Sequence, residues 1–112
     1  MINRQYDEST TKLESLTNSK SEIIRNLSFY YLAYIYINIK DYQTAKTYLS
    51  LIETNNIYSE LSLLLNAELD DFVLNDINSA VDNYLKFMDN FQYSIFYEEI
   101  RLRLERIIGW IL

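Results

Sequence analysis

Two pairs of neighbouring carboxylates, Asp70–Asp71 and Glu98–Glu99, are the residues whose types come closest to acid–base chemistry. Glycosidase-type work needs two carboxyl groups converging on one cleft, one as acid and one as base or nucleophile. Adjacent residues on a helix point about 100° apart, so neither pair converges by itself. The chain has no histidine and no cysteine. That removes the commonest general base, the partner a serine nucleophile needs, and the thiolate and imidazole metal ligands. A helical di-metal site would use Glu-x-x-His pairs. The one glycine, Gly109, leaves no glycine-rich loop to cradle a phosphate. The expectation is a protein that is not an enzyme, with no catalytic residue, cofactor or metal.

Recognition is the chemistry these residue types suit better. Of 112 residues, 11 are tyrosine. Tyrosine joins a large contact area to a polar tip and few rotatable bonds, which serves binding surfaces well. Many of them crowd into "SFYYLAYIYINIKDYQTAKTYLSLIE", residues 28–53. The net charge of −6 speaks against nucleic acid as a partner. Between residues 47 and 97 stand eight carboxylates (Glu53, Glu60, Glu68, Asp70, Asp71, Asp76, Asp82, Asp89) and one base, Lys86. Arg101, Arg103 and Arg106 then cluster near the end. An acidic middle reads either as a solvated face or as a surface for a basic or neutral partner.

The tyrosine run does not read as a membrane span. Arg25 and Lys40 bound it, with Asn26, Ser28 and Asn38 between them, and a span needs about 20 apolar residues. "MINRQYDESTTK" has no apolar run to make a signal peptide. The cytoplasm is the default expectation for the compartment.

Chemistry of this kind must be positioned by helices. A chain with no proline and one glycine has little material for tight strand connections. Apolar residues recur at helical spacing in six segments. Ile2, Tyr6, Leu13 and Leu16 mark the first, and residues 21–39 the second, apolar nearly all round. Tyr42, Ala45, Tyr48, Leu49 and Ile52 mark the third, and Ile57, Leu61, Leu64, Leu65 and Phe72 the fourth. Ile77, Ala80, Val81, Tyr84, Phe87 and Met88 mark the fifth, and Phe96, Ile100, Leu104, Ile107 and Ile111 the sixth. Asp41 and Asp76 stand where new helices begin, each able to accept unpaired backbone N–H groups. Short linkers between helices predict antiparallel hairpins.

The segment 29–52 repeats itself in 64–87. Ala33 falls on Ala67 at an offset of 34, while Asp41, Ala45 and Leu49 fall on Asp76, Ala80 and Tyr84 at 35. One extra residue therefore sits between the helices of the second unit. Small residues in both units, Ala33 with Ala45 and Ala67 with Ala80, allow close helix crossings.

In this order of residues the chain resembles the tetratricopeptide repeat family. Phe29, Leu32, Ala33, Tyr36, Ala45, Leu49 and Ile52 follow its pattern, as do Leu64, Ala67, Ala80, Tyr84 and Phe87 in the second unit. The departures are Asp70 where a tyrosine is usual, and Ile57 and Gln92 where each unit usually ends in proline. The layout followed by "YEEIRLRLERI" is also similar to the C-terminal repeats of bacterial membrane-anchored ancillary translocon-subunit proteins, which makes a shortened relative of such a protein an alternative reading. The resemblance implies an all-α fold: a right-handed stack of helical hairpins forming one domain over 1–112. Residues 3–17 would be a partial upstream helix, 21–53 and 56–89 the two repeats, and 95–111 a capping helix.

The first helices of such a stack line a concave face. That places Tyr30, Tyr34, Ile37 and Asn38 beside Glu68 and Asp71 in a groove for a peptide or protein segment with apolar anchors and a Lys or Arg. Alternatively, Tyr30 and Tyr34 bury against the N-terminal helix through Tyr6 and Leu13. Some family members hold a C-terminal carboxylate with lysine and asparagine, and the tyrosines and acids here do not support that mode. The apolar tail with Ile107, Ile108, Trp110 and Ile111 either folds back over the last repeat or makes a homo-oligomer. The sequon at Asn26–Ser28 lies inside an apolar helix and is set aside.

Overall fold

A computed structural model describes the backbone of residues 4–53 and 56–111 and the side chains of 7–53 and 56–109. Ile2, Tyr6, Trp110 and Ile111, named above for packing or self-association, have side chains outside the described residues.

Every regular element among the described residues is helical. They are α1 (Arg4–Leu16), α2 (Glu22–Asn38), α3 (Tyr42–Leu51), α4 (Ser59–Glu68), a π-helical turn (Leu69–Val73), α5 (Ile77–Asn90) and α6 (Tyr97–Ile111). The helix starts follow from their caps. Ser21 Oγ accepts the Ile24 N–H. Asp41 accepts the N–H and hydroxyl of Thr44, and Asp76 accepts the same pair from Ser79. A cap of this type contributes about 1 kcal/mol.

The expected fourth helix, drawn from Ile57 to Phe72, is corrected. Its α-helical part is only Ser59–Glu68. Ile57 lies before it and is exposed, and beyond it the chain widens into the π turn, which leaves Phe72 56% exposed. A π turn accommodates one extra residue. The inserted residue of the second repeat lies between Ala67 and Asp76, the stretch that holds this turn.

The two repeats close their first helices in related ways. After α2, the Asp41 N–H reaches the Tyr36 carbonyl and the Lys40 N–H reaches the Ile37 carbonyl. With Lys40 left-handed at φ 64°, this is a Schellman ending. After the π turn, Asn75 is left-handed at φ 54°, and the Asp76 N–H reaches one residue further back, to the Asp70 carbonyl.

Contacts group the chain into two compact units, Met1–Ser62 and Leu63–Leu112. In the first, α1 and α3 pack against α2, burying Leu32, Ala33 and Ala45 completely and Leu49 nearly so. Tyr48 stacks between Phe29 and Tyr36 with ring centroids 6.4 and 5.7 Å away. In the second, α5 packs against α6 and the π turn. Its core is Leu64, Ala67, Ala80, Tyr84, Phe87, Ile100, Leu104 and Ile107. All four alanines paired from the sequence have no exposed surface.

Candidate recognition surfaces

The six expected groove residues divide between the units, four in the first and two in the second, and each set is described in its own unit. Tyr30 and Tyr34 share a helical face of α2, one turn apart. Their rings meet edge to face at 5.1 Å, and the hydroxyls are 3.4 Å apart. Tyr30 also contacts Tyr58 at 5.1 Å and Tyr31 at 6.0 Å. Tyr30 is half-buried in this group, whereas Tyr31 and Tyr34 are 48% and 43% exposed. Burial, then the hydrogen bond and charge of Tyr34, push the Tyr30 phenol well above the ordinary tyrosine range. Ile37 is half-buried and Asn38 exposed.

Glu14 of α1 acts on a different set of tyrosines. Burial first, and then the Glu14 carboxylate, raise Tyr36. Tyr48 is raised by burial, by Tyr36 and by Glu14. The described ring neighbours of Tyr30 are Tyr31, Tyr34 and Tyr58; of the alternative packing against α1, the Tyr6 side chain lies outside the described residues.

Below the tyrosines, Arg25 ties the ends of the hairpin together. Its Nε and one terminal nitrogen donate to Glu53 at 3.1 and 2.9 Å, and the other donates to the Ser19 and Lys20 carbonyls. Beside it, Asn26 is completely buried and its Oδ1 accepts the Glu53 N–H at 2.9 Å. Its Nδ2 is buried with no partner among the described residues. An unpaired buried donor costs about 1–3 kcal/mol. Burial also closes the sequon reading. Asn26 lines a cleft of about 310 Å³ with Glu22, Ile23, Asn56, Ile57 and Tyr58.

In the second unit the acids turn inward. Asp71, expected on an open face, is 5% exposed. It accepts the Tyr84 hydroxyl at 2.8 Å and Arg106 at 2.8 Å. Asp70 is fully buried and accepts Asn83 Nδ2 at 2.8 Å. Burial first, then the bond to Asp71, hold the Tyr84 phenol above its ordinary range. Glu68 pairs with Arg103 at 3.2 Å, and the same guanidinium reaches Glu99 at 2.7 Å. Arg103 also lies 5.2 Å over the Phe72 ring, with Arg106 at 6.0 Å. The physical reason for the correction at Asp71 is the widened turn, which points consecutive carboxylates into a packed region where only paired charges are tolerated.

The tail is corrected in part. Ile107 is a core residue, 5% exposed, and cannot serve self-association; Ile108 is 38% exposed.

Comparison with known proteins finds no match: no family model, curated protein or solved structure matches the chain. What the chain recognises must be read from its own residues. Among the described residues no three Asp, Glu, His or Cys side chains gather as a metal site would require. No described helix is long and apolar enough to cross a membrane.

Sequence reasoning missed Tyr31, Tyr58, Asn26 and Arg25. Tyr58 lies just before α4, in a short connection that the apolar spacing of the helices does not cover. Asn26 carried a usable signal, as a polar residue inside an apolar helix with capacity for both donor and acceptor bonds.

Proposed function

We propose that the chain is a non-catalytic scaffold of tetratricopeptide-like hairpins that binds a protein or peptide segment through the tyrosine face of α2. The observation that carries this reading is the cluster of Tyr30, Tyr31, Tyr34 and Tyr58. Two of its rings are more than two-fifths exposed on a helix whose opposite face is fully packed. Rigid aromatic surface of that kind supplies binding energy at small entropic cost. Ile37 and Asn38 extend the face toward the end of α2. The repeat reading is supported by the four buried alanines and by left-handed residues 35 apart, Lys40 and Asn75, at matching helix ends. Within the second unit Glu68 is paired with Arg103 and Asp71 belongs to the interior.

A second reading, self-association through α6, draws on the exposed Leu102 and Ile108. The two separate cleanly. Affinity capture with a Tyr31→Ala/Tyr34→Ala double variant, checked for unchanged helical content by circular dichroism, should lose the partner that wild type retains. A variant that retains it, alongside a concentration-dependent mass in light scattering that Ile108→Ser abolishes, would favour self-association.

A further inference from the structure

The cleft at the start of α2 has features that the tyrosine face does not explain. Glu22, Ile23 and Asn26 line it from α2, with Asn56, Ile57 and Tyr58 opposite. The opposite wall is stapled locally. Asn56 Oδ1 accepts the Tyr58 N–H at 2.8 Å, its Nδ2 donates to the Glu53 carbonyl, and its own carbonyl accepts the Ser59 hydroxyl. The aliphatic walls are strongly presented, with Ile23 67% and Ile57 76% exposed. At about 310 Å³ the space is far larger than one water's share of about 30 Å³. It falls at the small end of ligand pockets, which run from about 300 Å³ upward.

Asn26 decides the chemistry. Its amide orientation is fixed, because the Glu53 N–H requires an oxygen at Oδ1. The buried Nδ2 must then face an acceptor, and none of the described residues supplies one. A ligand suited to this cleft brings a carbonyl oxygen for Asn26, an aliphatic group to lie between Ile23 and Ile57, and a cation for the Glu22 carboxylate. One extended peptide segment carries all three: a main-chain carbonyl, a branched aliphatic side chain and an adjacent Lys or Arg.

We propose that this cleft is a binding site for an aliphatic–basic dipeptide unit of a partner chain, whose main-chain carbonyl accepts a hydrogen bond from Asn26 Nδ2. The site deepens the protein-binding reading and rests on it. Tyr58 lines the cleft and contacts Tyr30, so a peptide anchored in the cleft continues onto the tyrosine face of the same unit.

The test is a titration of the full chain, ¹⁵N-labelled, with acetyl-Leu-Lys-amide, read by NMR at the Asn26 side-chain amide pair. Saturable shifts there and at the backbone amides of Ile23, Ile57 and Tyr58 are expected. Acetyl-Ser-Glu-amide should produce none, and isopentylamine, which has the side chain and the cation but no carbonyl, should leave the Asn26 pair in place. Ile57→Ser, a change at an exposed position that spares the fold, should weaken the probe by about tenfold through lost apolar contact. Absence of shifts, equal shifts with isopentylamine, or undiminished binding to the Ile57→Ser protein overturns the site. This titration does not depend on captured partner, so failure of the tyrosine-face reading and failure of the cleft are separate results.

Discussion

The α2–α3 hairpin and its repeat, α4 to α5, begin from similar sequences and end with opposite surfaces. In the first, α2 runs unbroken to Asn38, turns through Lys40, and carries Tyr36 and Ile37 in its last turn. In the second, one extra residue is absorbed by the π turn, and Asp70 and Asp71 occupy the matching stretch. Both carboxylates are buried and bonded within their unit. The acidity of the second hairpin is thus partly spent on holding it together, while the aromatic surplus of the first is left partly at the surface. A single inserted residue can decide whether a charged position faces a partner or a core.

The comparison can be broken at several depths. Phe87→Ala should do most, since Phe87 has no exposed surface in the second unit's core. A loss of about 3–5 kcal/mol in denaturant unfolding is expected, with amide exchange accelerating first in α5 and α6. Asp71→Ala should follow at about 2 kcal/mol, because it leaves the buried Tyr84 hydroxyl without its acceptor. Asp71→Asn, which keeps an acceptor, should cost visibly less in the same assay. If the two variants cost the same, acceptance of the Tyr84 hydroxyl is not what Asp71 contributes to the turn.

Alkaline pH comes next. The Tyr84 phenol is raised in the folded state by burial and then by Asp71, so the fold favours its neutral form. That contribution is complete below the unfolded value of about 10 and is lost as pH rises through the folded value. Stability should therefore fall above about pH 10, and Tyr84→Phe should flatten the decline in pH-dependent unfolding. The smallest expected effects are gains. Lys40→Gly relieves a left-handed lysine and should add about 1 kcal/mol. Asn75→Gly should add less, because asparagine tolerates that conformation. Thermal unfolding of both variants orders them.

Much of the fold could be read before it was seen, because its signals are local. Asp41 and Asp76 announce helix starts through bonds to residues three positions on, and the apolar stripes announce helix faces. The shift from 34 to 35 residues revealed the insertion in the second repeat. Its form was hidden, since a π turn has no composition of its own. Once the turn widens, surface positions assigned at a period of 3.6 are wrong beyond it, and Asp71 and Phe72 were displaced from their expected faces for that reason. The site residues least visible in sequence act over long separations. Arg106 lies 35 residues from Asp71, and Asn26 lies 27 from Glu53. No local pattern connects such pairs.

Amide hydrogen–deuterium exchange on the captured complex tests the division of labour most directly. If the first unit is the recognition half, binding slows exchange along residues 23–37 and 56–58 and leaves α5 and α6 unchanged. Protection confined to α5 and α6, with the tyrosine face exchanging as it does alone, would contradict the account.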